Sequence, residues 1–342
     1  MEKLKIYNTH CCGEIGDVVV GGKIDIKGNS ILEQSQYLFK NKKIRNFLLN
    51  EPRGAFFKHF NIIVPPKNKK AKAGFIILEA EDNPPMSGSN SICVATVLLE
   101  KNILQMSEPV TEFFLEAPGG IIKVKATCKN QLVENIEIEN LPSYVYKKNF
   151  IISVDQIGQL NVSIVFGGDT FVICNSEDLN LKIEPKFAKD FVNVSKKILK
   201  AVNEQVEYQH PTIQNLDFIS FCQFTEPVII NDRGVKEGKN TVCIRPGKLD
   251  RSACGTGTSA RLALLRANDE IKPNEVFISK SIINSVFESK ILKEYSEGGI
   301  DYIKPSIKGS AFITGYQEIY VSDKDPFPEG YKLNDTWPDV TF

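Results

Sequence analysis

Two short segments hold the residues best suited to chemistry, and they resemble each other: Met86-Ser87-Gly88-Ser89-Asn90-Ser91 and Ala253-Cys254-Gly255-Thr256-Gly257-Thr258. Each places a hydroxyl or thiol (Ser87, Cys254) directly before a glycine and a run of small polar residues. Each then opens into an apolar stretch, residues 92–99 and 260–265. Small polar residues before an apolar helix mark a helix N-terminus, where unpaired backbone N–H groups and a positive partial charge favour a bound carboxylate or phosphate. Glycine there lets a ligand approach the backbone. A cysteine in that position is expected to be acidified and to hold substantial thiolate at neutral pH. Ser87 and Cys254 stand about half the chain apart. That spacing suggests a duplicated unit, with one oxygen and one sulfur facing a single small molecule across a shared cleft. Asp250 and Arg251, just upstream of Cys254, could hold a substrate ammonium group and order the loop.

Other readings of these segments are weaker. Ser87 and Cys254 could serve only as helix caps, although cysteine is a poor cap. Gly255-Thr256-Gly257-Thr258-Ser259-Ala260 fits the glycine pattern of a dinucleotide loop, but residues 249–252 before it are not a hydrophobic strand. No lysine follows the glycines, which excludes a P-loop. A cysteine hydrolase would need a base, and no histidine adjoins Cys254; His10 or His210 would have to approach it in space.

Two buried helices must position these residues, at about 90–101 and 258–267. Strand-like runs surround the first at Phe60–Val64, 74–78, 112–116, 121–126 and 132–138. A second strand-rich series begins near residue 150 (151–154, 159–166, 170–174). A charged helix follows at about 186–205, then strands at 217–224, 240–244, 310–314 and 317–321. Residues 164–168 faintly echo residues 18–22. The pattern predicts two α+β halves, 1–149 (rejoined by the tail 316–342) and 150–315. No linker separates them.

The chain has 342 residues with Lys+Arg and Asp+Glu equal at 42 each, so no basic surplus suggests a nucleic-acid partner. No apolar run approaches membrane-spanning length, and the first residues lack the apolar core of a signal peptide. The eight cysteines show no CxxC spacing and read as free thiols in a reducing cytoplasm. His10, His59 and His210 are too scattered to make a metal site from sequence neighbours.

Residues 250–263, Asp-Arg-Ser-Ala-Cys-Gly-Thr-Gly-Thr-Ser-Ala-Arg-Leu-Ala, resemble the second active-site signature of the proline racemase superfamily, and Pro85-Met86-Ser87-Gly88-Ser89-Asn90 resembles the first. Weaker echoes occur at residues 8–10 with 13–14, 117–120, 166–169 and 309–315. The resemblance implies a diaminopimelate-epimerase-like α+β fold of two pseudo-symmetric halves, each a barrel-like sheet around a buried helix, with the active site in the cleft between them. It implies cofactor-independent acid/base chemistry on a proline-type imino acid, and a homodimer is common among similar proteins. Cys254 would be one catalytic group. Gly255 and Thr256 would offer backbone N–H groups to the carboxylate, Asp250 would meet the ring nitrogen, and Gly88, Ser89 and Asn90 would complete the cradle. His10 and Asp169 are second-tier candidates.

Two departures from that pattern matter: Ser87 stands where the family has its first catalytic cysteine, and Ser89 where it has a histidine. A hydroxyl is a far weaker acid than a thiol, so Ser87 suits proton donation or relay better than base work. Three readings follow. The surviving cysteine in the second motif favours a 4-hydroxyproline 2-epimerase with proline racemisation as a side activity. The asymmetry of one thiol and one hydroxyl suits a trans-3-hydroxy-L-proline dehydratase. The third reading is an imino-acid binding protein with weak or no catalysis.

Overall fold

A computed structural model describes residues 3–338. Within it, residues 3–138 with 309–338 form one compact unit and Glu139–Lys308 a second. In chain order the first unit holds β1 (Leu4–Cys11), β2 (Glu14–Ile15), β3 (Asp17–Gly21), α1 (Ile31–Lys40), α2 (Lys42–Leu49), β4 (Phe60–Val64), β5 (Ala73–Leu78), α3 (Gly88–Glu100), β6 (Val110–Ala117), β7 (Gly120–Lys129) and β8 (Leu132–Glu139). The second holds β9 (Ser143–Val154), β10 (Gly158–Phe166), β11 (Thr170–Asn175), α4 (Ala188–Gln205), β12 (Phe221–Thr225), β13 (Ile229–Ile230), β14 (Lys236–Ile244) and β15 (Lys248–Leu249). It continues with α5 (Gly255–Ala267), β16 (Phe277–Lys280), β17 (Val286–Glu297) and β18 (Ile300–Gly309); β19 (Ala311–Ile319) returns the chain to the first unit.

The ladders of the second unit close on themselves. β9 pairs antiparallel with β10, β10 antiparallel with β11, β11 parallel with β12 and β12 antiparallel with β14. Then β14 runs parallel to β16, β16 antiparallel to β17, β17 antiparallel to β18, and β18 antiparallel to β9 again. The result is an eight-stranded barrel. Parallel pairs need a crossover, and α5 is the crossover between β14 and β16. It packs against β9, β10, β11 and β17, with ten of its 13 residues buried.

The first unit repeats the same succession. β19 pairs antiparallel with β1, β1 antiparallel with β3, β3 parallel with β4, β4 antiparallel with β5, β5 parallel with β6 and β6 antiparallel with β7. Here α3 is the β5–β6 crossover, and every residue from Gly88 to Leu99 is buried. Such a helix has no polar face, which explains its apolar composition all round. The pseudo-symmetric α+β fold expected from the duplicated motif is therefore present in the ladder order itself.

Several boundaries differ from expectation. The residues at 149/150, expected to divide the halves, lie inside β9, and the unit changes at Ile138/Glu139 instead. Residues 310–314 and 317–321 are not two strands. Residues 311–319 form the single strand β19, which leaves 310, 320 and 321 outside it and whose register against β1 slips between Asn8 and Thr9. The echo between 18–22 and 164–168 is not structural: residues 18–21 lie on β3, whose counterpart is β11, whereas 164–166 lie on β10. No helix among the described residues is long and apolar enough to cross a membrane.

Candidate active site

In the second unit, β14 and the loop after β15 set the frame for Cys254. Asp250 N–H donates to the Val242 carbonyl at 2.8 Å, which ties the loop to β14. Asp250 Oδ1 accepts from both the backbone N–H and the hydroxyl of Ser252, each at 2.8 Å, and Ser252 Oγ accepts from Cys254 N–H at 3.0 Å. Asn240, from β14, donates to the Ala253 carbonyl at 2.7 Å. These bonds hold Cys254 at φ +56°, a left-handed conformation uncommon outside glycine and asparagine.

That backbone turn aims the Cys254 side chain along the helix start. Sγ accepts from Gly257 N–H at 3.3 Å and lies 3.6 Å from Thr256 Oγ1, while the Cys254 carbonyl accepts from Thr258 N–H at 2.7 Å. The helix thus begins at Gly255, three residues earlier than residue 258, because the glycine-rich stretch is its first turn rather than a loop before it. Residue 257 is tightly packed: a Cβ there would stand 3.2 Å from Cys254 Sγ and 3.0 Å from the Val242 side chain, so these neighbours would have to give by a few tenths of an ångström. The Gly255 and Thr256 amides belong to the first turn, whose N–H groups have no acceptor within a helix.

The electrostatics correct one expectation. The Cys254 thiol is not acidified in the free protein; it is raised well above the ordinary cysteine value. Burial is the chief cause, and the Asp250 charge adds to it. The Thr256 hydroxyl and Gly257 N–H oppose both and lose. A helix start favours thiolate, but here desolvation and a neighbouring carboxylate outweigh it.

In the first unit, α3 begins at Gly88 with Ser87 as its N-cap residue, two residues before the expected start at 90. The Ser87 side chain does not cap the helix. Its Oγ accepts from Asn90 Nδ2 at 2.9 Å and lies 3.4 Å from Ser89 Oγ, while its carbonyl accepts from Ser91 N–H at 3.0 Å and Ser91 Oγ at 2.7 Å. Gly88, Ser89 and Asn90 supply first-turn amides as Gly255 and Thr256 do. Asn90 itself is 1% exposed. Its Oδ1 accepts from Asn61 Nδ2 at 2.8 Å, and its Nδ2 lies 3.4 Å from His59 Nδ1.

The second-tier residues shape turns. His10 Nδ1 accepts from Gly13 N–H at 3.3 Å, and its ring lies against Phe312. Asp169 is buried and Oδ1 accepts from Thr170 N–H at 2.7 Å, closing the β10–β11 turn. That turn touches the site helix directly, since a Cβ at Gly167 would fall 2.2 Å from the Thr256 carbonyl oxygen. His210 packs edge-on against Phe166 and Tyr144. Burial lowers its pKa to about 4. All eight cysteines are free, and Cys254 alone among them caps a helix with its sulfur.

Sequence reasoning passed over His59, Asn61, Glu14 and Glu79, all buried in the first unit. The signal was present, because Asn61 interrupts Phe60-Asn61-Ile62-Ile63-Val64 and Glu79 follows Phe75-Ile76-Ile77-Leu78. A polar side chain inside an apolar strand needs a buried partner.

Two units built on one ladder pattern each place a hydroxyl or thiol side chain at the start of an enclosed helix, and the relatives that share this arrangement make the chain an enzyme of the amino-acid racemase and epimerase class. A family model described as proline racemase matches residues 6–332, and the chain belongs to that family. It is similar over 98% of its length to the crystal structure of a hydroxyproline epimerase from Agrobacterium vitis with bound trans-4-OH-L-proline, with 32% identity, TM-score 0.93 and 96% of that chain covered. A probable proline racemase from Agrobacterium radiobacter K84 with bound carbonate is 33% identical over 98% of both chains, with TM-score 0.92. A phenazine biosynthesis protein of the PhzF family from Bacillus anthracis shares the fold at 12% identity and TM-score 0.58, covering 94% of this chain and 100% of that one.

Proposed function

We propose that the chain epimerises the α-carbon of a proline-type imino acid without a cofactor, with 4-hydroxyproline as the favoured substrate and proline as a secondary one. The observation that carries this reading is the second-unit arrangement. There a thiol caps a helix whose first-turn amides are open to a carboxylate, and a carboxylate two hydrogen bonds upstream can meet a ring ammonium. The solved hydroxyproline epimerase, 32% identical, supports the choice of substrate.

In this reading the substrate carboxylate lies on the Gly255 and Thr256 amides. Its ring nitrogen lies at Asp250. The imino cation offsets the Asp250 charge that disfavours the thiolate, so Cys254 gives up its proton, to solvent, only as substrate binds. The thiolate then removes the α-proton. The amide cradle holds the charge that spreads into the carboxylate, and Ser87, directly or through a water, delivers a proton to the opposite face. The reverse direction runs these transfers backwards.

Incubation with trans-4-hydroxy-L-proline in deuterated water tests the reading. NMR should show the cis-D product carrying deuterium at the α-carbon. A chain that binds hydroxyproline with neither exchange nor product would be a binding protein, and the proposal would be wrong. Cys254→Ser should abolish turnover. Ser87→Cys should accelerate racemisation, because a second thiol restores matched acid and base groups.

One observation favours a second reading, dehydration of trans-3-hydroxy-L-proline. Ser87 Oγ accepts from Asn90, so its own hydrogen points away from Asn90 and can protonate a departing hydroxide in place of bonding Ser89 Oγ. A cyclic imine trapped with o-aminobenzaldehyde would identify that activity.

A further inference from the structure

Beneath Ser87 lies a buried polar layer that the acid/base scheme does not use. His59 is 3% exposed and stands between two buried carboxylates, with Nε2 3.6 Å from Glu14 Oε1 and Nδ1 3.6 Å from Glu79 Oε1. Asn90 links this layer to Ser87. Its orientation follows from a chain of obligatory roles. The Asp17 carbonyl can only accept, and it takes a hydrogen bond from Asn61 Nδ2 at 3.5 Å. The same nitrogen donates to Asn90 Oδ1, so Asn90 turns its nitrogen toward Ser87 Oγ and His59 Nδ1. His59 accepts at Nδ1 only when its ring hydrogen sits on Nε2, on the Glu14 side. A ring hydrogen on Nδ1 would face the Asn90 NH2 group and favour the flipped amide. The flipped amide would present its oxygen to Ser87 and draw the hydroxyl hydrogen inward.

We propose that Asn90 and His59 are positioning residues for Ser87: Asn90 turns its donor nitrogen to Ser87 Oγ and so points the hydroxyl hydrogen away from itself, and His59, accepting at Nδ1 with its ring hydrogen on the Glu14 side, keeps the Asn90 amide the right way round. The assignment rests on the functional reading above, in which Ser87 serves the face opposite Cys254. It also explains why asparagine, a poor residue for a helix interior, is buried in the first turn of α3. Other charged groups beside this layer are Arg45, which donates to the Glu79 carbonyl at 2.7 Å, and Asp17 with Lys58, whose Nζ lies 3.6 Å from Asp17 Oδ2.

The test separates the two faces of the substrate. Asn90→Asp replaces the donor nitrogen with an acceptor of the same shape and draws the Ser87 hydrogen inward. Interconversion of the two epimers should then fall about 10–100-fold, the range of one general acid. Deuterium wash-in with retained configuration, which needs only Cys254, should fall much less than interconversion. His59→Leu should behave the same way. His59→Asn keeps an acceptor near the Nδ1 position and should recover most of the loss.

Equal losses of interconversion and wash-in would mean a merely structural role and would overturn the proposal; so would unchanged interconversion in both Asn90→Asp and His59→Leu. If wild type itself neither exchanges nor interconverts any imino acid, the functional reading fails. The positioning claim is then decided by the Asn90 side-chain amide resonances in ¹⁵N NMR. These should shift in Ser87→Ala and in His59→Leu, and insensitivity to both would refute it.

Discussion

Replacing Gly167 by alanine should damage catalysis from a residue that touches no substrate. The new Cβ would stand 2.2 Å from the Thr256 carbonyl oxygen, 2.5 Å from Ala260 N and 2.8 Å from Ala260 Cβ. Two of these neighbours are backbone atoms of α5, so no side chain can swing aside. The β10–β11 turn and the helix must part by about 1 Å to restore ordinary contact. Overpacking of this kind costs about 1–3 kcal/mol, which lowers the melting temperature of a unit of this size by about 3–10 °C. The same shift moves the Gly255 and Thr256 amides off the carboxylate, and a misplacement near 1 Å can lower turnover about 100-fold. The assay is a melting curve beside kcat/KM for α-proton exchange. Gly234→Asn is the control, because Gly234 at φ +72° has open space around its would-be Cβ and asparagine tolerates that conformation. Gly167→Ala melting within about 1 °C of wild type with full kcat/KM would refute the claim that this turn sets the helix position.

Three further predictions concern protonation. Because the Cys254 thiol is raised, iodoacetamide should modify it slowly at neutral pH, faster as pH rises above the ordinary cysteine range; a pH-independent rate by peptide mass spectrometry would contradict this. Asp250→Asn removes a charge that disfavours thiolate, so alkylation of free Cys254 should quicken at neutral pH while substrate turnover falls; parallel loss of both would mean that Asp250 serves only to order the loop. His210 is neutral in the folded protein down to about pH 4, but the unfolded chain binds its proton near pH 6.5. The unfolded state therefore holds more protons between those values, and stability drops as pH falls from about 6.5 to about 4. His210→Gln should flatten urea-unfolding free energies across that window, and an unchanged slope would remove His210 as the cause.

Sequence showed the site more readily than the frame around it. Ser87 and Cys254 stood out because both lie at glycine-rich helix starts, and their helices were visible as apolar stretches too broad for one face. The helices α1 and α2 went unnoticed, although Ser30 caps α1 by accepting from Glu33 N–H and Asn29 N–H donates to Glu33 Oε2. That four-residue capping signal was lost in a polar region. Strands β17 and β18 alternate charged outer residues with buried Phe287, Ser289, Ile291, Ile303 and Ile307, and long charged side chains masked the period of two. The Cys254 protonation state could not be read from local sequence. It depends on how completely a folded barrel excludes water, and local sequence cannot measure that. From sequence alone His59 is weighed only as a metal ligand, because its partners Glu14 and Glu79 lie far from it in the chain and meet it only in the folded unit.

The pairing of β1 with β19 has a consequence for biosynthesis. The first unit's ladder starts from a strand at the chain's beginning and a strand near its end, while every strand of the closed second-unit ring is translated in between. On the ribosome the later barrel can therefore finish before the earlier one. Until the last strand emerges, β1 offers an open edge to whatever other strand comes near.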